Sequence, residues 1–112
     1  MLLFLQVLGY EARWIVDRED HVWAEVNISD WIHVDPCEAV VNEPLIYQSW
    51  GKLQTFIFAF SSKNGYCDIE DVTLRYTTNA TSVSERRLME GVNQSQVDLE
   101  LTKLTNQHMN FK

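Results

Sequence analysis

The chain has 112 residues, 46% hydrophobic and 22% charged, enough for one small domain with a core of its own and too apolar for a disordered chain. A net charge of -7 excludes nucleic acid and anionic membrane surfaces as partners, since phosphate recognition needs a basic stripe. The densest basic spot, Arg86-Arg87, is flanked by Glu85 and Glu90.

Residues 1–10 (MLLFLQVLGY) are apolar but lack a basic leader and a small-residue cleavage site, and they are too short to span a bilayer. Apolar residues Met1, Phe4, Leu5 and Leu8, followed by Gly9, read as the last turns of a buried helix with a glycine C-cap. A helix that opens so deep in its apolar face is expected to have lost its first turns, so the chain reads as truncated at its N-terminus. The bulky and β-branched run Glu11–Asp17 reads as a strand, and Arg18-Glu19-Asp20 as a charged turn. Residues 21–26 and 31–35 read as two further strands joined by the polar link at 27–30. Residues 37–50 are irregular, 53–60 read as a central strand, and 61–65 as a turn in which Asn64-Gly65 favours positive φ. A short strand is expected around 66–74. Ser82 with Glu85 has the form of a capping box and predicts a helix beginning there.

These elements give an α+β fold: one partial helix, an antiparallel sheet, and a helical tail. The core is expected over residues 1–77, and the tail over 78–112, packed loosely on the sheet or projecting from it. Cys37 and Cys67 fall in no metal-binding spacing and no disulfide framework, which favours a reducing compartment. Sequons begin at Asn27, Asn79 and Asn93, but no export signal accompanies them.

The hairpin formed by residues 21–26 and 31–35 has a register that its hydrophobic pattern constrains. With paired positions summing to 56, Val22 faces Val34 and Ala24 faces Ile32, so one side of the ribbon is wholly apolar. The other side then sets His21 against Asp35, Trp23 against His33, and Glu25 against Trp31. A one-residue slip would bring every apolar position against a polar one. Direct cross-strand neighbours have Cβ atoms about 4.5–5.5 Å apart, within reach of an imidazole–carboxylate hydrogen bond. Such a pair fixes the histidine's tautomer and stabilises its cation, as two members of a nucleophilic triad would; on pattern alone the same residues equally suit the plain start of one surface strand and the end of another. Trp23 and Trp31 beside it suit stacking on sugar or peptide, although hairpin tryptophans commonly serve as core.

The runs Gly9-Tyr10-Glu11-Ala12-Arg13, Asp20-His21-Val22-Trp23-Ala24-Glu25-Val26 and Trp31-Ile32-His33-Val34-Asp35-Pro36-Cys37-Glu38 occur in this order. Pro44-Leu45-Ile46-Tyr47, Trp50-Gly51-Lys52, Phe58-Ala59-Phe60-Ser61 and Asp71-Val72-Thr73-Leu74-Arg75-Tyr76 come after them. Together they resemble the cytosolic peptide:N-glycanase family over residues 2–77. The resemblance implies a transglutaminase-like (papain-like cysteine hydrolase) core in the cytoplasm that cleaves the amide bond between asparagine and the first N-acetylglucosamine of an N-linked glycan. It implies His21 as general base and Asp35 as its orienting carboxylate, with Trp23, Glu25, Trp31, Glu38 and Arg13 lining the substrate cleft. Its substrates would be N-glycosylated denatured proteins, with proteasome-pathway partners reached through regions outside this chain.

Three departures accompany the resemblance. The link between the hairpin strands is short, and Cys67-Asp68-Ile69-Glu70 reads as a small insertion, with one lysine after Trp50 where the family often has two. The family's nucleophilic cysteine, at the start of the helix ending near Gly9, would lie upstream of Met1. Its zinc-binding cysteine pairs would lie further upstream, leaving no cofactor in this chain. Cys37 has no helix N-terminus to lower its pKa, so neither cysteine replaces the nucleophile and the chain alone is expected to be inactive. The alternatives are a non-catalytic transglutaminase-like module that binds glycan or protein, and a related protease or acyltransferase using the same His–Asp pair.

Overall fold

The computed structural model describes residues 8–19, 21–63, 66–93, 96–99 and 101. Six strands form one antiparallel sheet: β1 (Glu11–Asp17), β2 (His21–Asn27), β3 (Trp31–Asp35), β4 (Val40–Val41), β5 (Ile57–Lys63) and β6 (Tyr66–Asp71). Their spatial order is β4-β3-β2-β1-β5-β6, so the first four strands form a meander and β5 returns to the free edge of β1. Helix α1 (Ile46–Ser49) lies in the stretch between β4 and β5, a 3-10 turn covers Thr73–Arg75, helix α2 (Ala80–Met89) follows, and residues 96–99 and 101 are also helical. Among the described residues no helix is long and apolar enough to cross a membrane.

The expected helix over Met1, Phe4 and Leu5 lies outside the described residues. Gly9, its expected cap, has φ +91°, a left-handed conformation suited to glycine.

The β2–β3 register corrects the one read from the hydrophobic pattern. Ala24 pairs with Val34, Glu25 with His33, Val26 with Ile32 and Asn27 with Trp31, so paired positions sum to 58. A shift by two residues leaves every side chain on its face, and face alternation therefore cannot tell the two registers apart. The turn decides. Residues 28–30 close a tight loop in which the Ile28 N–H donates to the Asp30 carbonyl at 3.0 Å and Ser29 takes φ +67°. This loop keeps Val26 in the ladder and buried.

The interior also lies on the face that hydrophobicity alone disfavours. Arg13, Ile15 and Asp17 of β1 share a face with Glu25, Trp23 and His21 of β2, and it is this mixed face that is closed over. The core joins Ile15, Trp23, Tyr47, Ile57, Ala59, Val72 and Tyr76, with Ile46 packed against it. Three large aromatic rings supply the apolar area, and the charged members are paired internally, so their burial is tolerated. On the opposite face Ala12, Ala24 and Val26 are buried, whereas Trp14, Val16 and Val22 are exposed.

The apolar run at 53–60 becomes a strand only from Ile57 onward. Upstream of it the backbone carbonyls are taken by side chains: Arg86 Nε donates to Gln54 O at 2.8 Å and Arg87 Nε to Thr55 O at 2.7 Å. These bonds tie α2 to the sheet, and Val83 is buried with Arg87 on the same helix. The cap of α2 is Asn79, whose Oδ1 accepts from the Ser82 N–H at 3.1 Å. Ser82, expected as N-cap, sits in the first turn instead. Both residue types cap well, but Asn79 is fixed by its own N–H donating to Thr77 Oγ1 at 3.1 Å. Residues 61–63 continue β5 rather than turning, and the strand expected at 66–74 ends at Asp71.

Candidate active site

His21 opens β2, directly opposite Asp17 on β1, and reaches across to the last residue of β3. Its Nε2 lies 2.8 Å from Asp35 Oδ2. The Asp35 side chain is fully buried, whereas that of His21 is 20% exposed. Asp35 is held at both oxygens: Tyr47 donates its hydroxyl to Oδ2 at 2.6 Å, and the Glu38 N–H donates to Oδ1 at 3.3 Å. Burial pushes the Asp35 carboxyl up, but the hydrogen bonds from Tyr47, His21 and the Glu38 backbone outweigh it and hold it below its ordinary value. Asp35 is therefore an anion at neutral pH. An acceptor-only carboxylate at Nε2 places the His21 proton there and makes Nδ1 the unprotonated nitrogen of the neutral ring.

Aromatic rings surround the imidazole. Trp23, Tyr47 and Trp50 have centroids 5.5, 5.3 and 5.9 Å from it. Trp23 is almost fully buried and stacks on Tyr47 at 4.1 Å, so it forms the floor of the site. Trp50 is nearly half exposed and forms its rim. On the other side of His21, buried Asp17 accepts from Lys52 Nζ at 3.1 Å and from the Glu19 N–H at 2.9 Å.

A second polar cluster lies further along the same face. Arg13 donates from Nε to Glu25 Oε1 at 2.8 Å and from a terminal nitrogen to Glu70 Oε2 at 2.7 Å, and its guanidinium stacks over Trp31 at 4.0 Å. Tyr76 donates its hydroxyl to the other Glu25 oxygen. Burial, then the Glu25 charge and this bond, push the Tyr76 phenol far above its ordinary value, so it remains a donor. Arg13 and Glu25 are both buried and bonded to each other.

Of the residues read from sequence, His21, Asp35 and Glu38 thus come together at one point, with Trp23 beneath them. Arg13, Glu25 and Trp31 form a separate group, and only Trp31 of these is partly open. The site also holds Tyr47, Trp50, Asp17 and Lys52, to which the sequence assigns no role. Tyr47 lies in a stretch without periodicity, where the run Pro44-Leu45-Ile46-Tyr47 marks it by resemblance and its role is visible only in three dimensions. Trp50 and Lys52 carry a weak signal, a bulky aromatic and a cation around the glycine at position 51. Among the described residues no three His, Cys, Asp or Glu side chains converge as metal ligands.

No protein-family model matches the chain. The peptide-N(4)-(N-acetyl-beta-glucosaminyl)asparagine amidase of Gallus gallus is 39% identical over 102 residues, covering 81% of this chain and 15% of that relative. The protein of the same name from Arabidopsis thaliana is 41% identical over 91 residues, covering 78% of this chain and 12% of its own length. In Yarrowia lipolytica the figures are 39% over 90 residues, 77% of this chain and 24% of the relative. The chain thus spans less than a quarter of the length of these three relatives. Agreement at this level over about four-fifths of the chain places it, as a segment, in the peptide-N(4)-(N-acetyl-beta-glucosaminyl)asparagine amidase family.

Proposed function

We propose that this chain supplies the base and its orienting carboxylate to an amidase that releases N-linked glycans from denatured glycoproteins in the cytoplasm, on a transglutaminase-like core. The observation that carries this reading is the His21–Asp35 bond of 2.8 Å to a fully buried, multiply bonded carboxylate, in a segment homologous to named amidases. A cysteine thiol from outside residues 1–112 is the nucleophile. His21 takes the thiol proton on Nδ1, and the thiolate attacks the side-chain amide carbon of the glycosylated asparagine. Collapse of the tetrahedral species breaks the C–N bond, and the imidazolium delivers its proton to the leaving glycosylamine nitrogen. His21 then deprotonates water, which hydrolyses the thioester to leave aspartate in the peptide and return the thiol.

Trp50, Trp31 and Glu38 are the aromatic and acidic groups open enough to meet substrate. Trp23, Arg13 and Glu25 act from beneath, holding the strands that carry the pair. The test exchanges the homologous segment of the Yarrowia lipolytica relative for this chain and measures glycan release from a denatured N-glycoprotein. Release is expected from the chimera, and none from its His21→Ala variant or from the 112-residue chain alone. A folded chimera that fails to release glycan, or one indifferent to His21→Ala, would overturn the reading.

A further inference from the structure

The Tyr47 hydroxyl stands at the end of a chain of hydrogen bonds whose direction the backbone fixes. The Glu43 N–H donates to His33 Nδ1 at 3.2 Å. An imidazole that accepts at Nδ1 and is neutral carries its proton on Nε2. His33 is buried, and burial holds it below its ordinary pKa against the attraction of Asp35 and Glu25, which keeps it neutral. His33 Nε2 lies 2.6 Å from the Tyr47 oxygen and therefore donates to it. Tyr47 has one proton, and with its oxygen occupied by His33 that proton points to Asp35 Oδ2, at 2.6 Å. Burial and the neighbouring Asp35 charge push the Tyr47 phenol far above its ordinary value, so it does not ionise.

We propose that Tyr47 is a positioning residue for the His21–Asp35 pair, locked as a one-way donor by His33 so that Asp35 cannot turn its Oδ2 away from His21. This rests on reading His21 and Asp35 as the reacting pair. Asp35 is the last residue of its strand and the chain turns immediately after it, so the ladder alone does not hold its carboxylate. The Glu38 N–H holds Oδ1, and without Tyr47 the oxygen that faces His21 would have the histidine as its remaining side-chain partner. The groups that face His21 are Asp17 with its Lys52 from β1 and the segment after α1, Asp35 and His33 from β3, and Tyr47 from α1. Of these, Tyr47 alone touches both the imidazole ring and the carboxylate.

The test is nitrogen NMR of the histidine rings in the 112-residue chain, under alkaline conditions where imidazoles are neutral. In the wild type, His21 and His33 are both expected to carry the proton on Nε2. Tyr47→Phe keeps the ring and its packing, and should shift the His21 nitrogens toward a mixture of tautomers while His33 also loses its partner. In the active chimera the same variant should lower kcat about 10- to 100-fold with KM unchanged. A folded Tyr47→Phe chain with wild-type His21 nitrogen shifts would overturn the proposal. A proton on His33 Nδ1 in the wild type would also overturn it, without any variant. If the folded chimera releases no glycan, the amidase reading falls, and the nitrogen shifts still decide the role of Tyr47.

Discussion

His21 and Asp35 meet on the diagonal of the sheet: they share a 2.8 Å bond, yet the residue directly across from His21 in its ladder is Asp17. The imidazole is thus set between two buried carboxylates, one engaged with Lys52 and the other with Tyr47. The two aspartates have different neighbours and should respond differently to substitution.

Asp35→Asn places an amide where three donors converge. Whichever way the amide turns, an N–H faces one of them, and a clash of this kind costs about 1–3 kcal/mol of stability, readable as a lower urea midpoint. In the chimera, glycan release should fall by about three to four orders of magnitude because His21 loses its tautomer. Asp35→Asn activity within tenfold of wild type would remove the pair from the mechanism.

Stability should fall with pH in two steps. His33 has a lower pKa folded than its unfolded value of about 6.5, so its contribution is complete above that pH and is lost as the unfolded state takes up the proton below it. Asp35 is likewise depressed, so its contribution is complete above its unfolded value near 3.8 and is lost as pH falls through the folded value. Urea midpoints measured from neutral to acid pH should separate the two, and His33→Gln should remove the upper step. A His33→Gln midpoint that tracks wild type across that upper range would contradict the assignment.

Arg13 and Glu25 form a buried ion pair, and removing Glu25 leaves the buried guanidinium with only the exposed Glu70 as an ion partner among the described residues. Glu25→Ala should cost about 3–5 kcal/mol in chemical unfolding. Glu70 meets the same arginine from an exposed position, and Glu70→Ala should cost less than about 1 kcal/mol. Equal costs would mean that the guanidinium is not held chiefly by Glu25.

Ala39 adopts φ +56° in the turn that brings the Glu38 N–H to Asp35. The left-handed region costs a residue with a Cβ about 1–2 kcal/mol, partly offset in a glycine by the freedom of its unfolded chain. Ala39→Gly should therefore raise the urea midpoint by the equivalent of up to about 1 kcal/mol. A lowered midpoint would show that the Ala39 methyl makes contacts that outweigh the strain.

Strand placement was largely legible because β1 and β3 have bulky, alternating residues bounded by charged turns, and both strands run between the expected limits. Face alternation alone brings His21 to the end of β3, and it specifies the shared face but not a register shift of two. Fixing the register needed the geometry of residues 28–30, a property of Ser29 that no hydrophobic pattern carries. Which face becomes the interior was equally illegible. It depends on Tyr47 and Tyr76 arriving from outside the sheet to cover Trp23. The run at 53–60 misled because arginines 32 residues away take its carbonyls.

The Glu25 carboxylate divides its two oxygens between Arg13, from the strand before it, and Tyr76, 51 residues later. A change in the chemistry of any one of the three takes from a buried neighbour one of its closest partners. A lineage that replaces Arg13 by an apolar residue must replace Glu25 in step, and Tyr76 must then give up its hydroxyl or find a new acceptor. The three positions should therefore be inherited as a set, and across related sequences they should vary together or not at all.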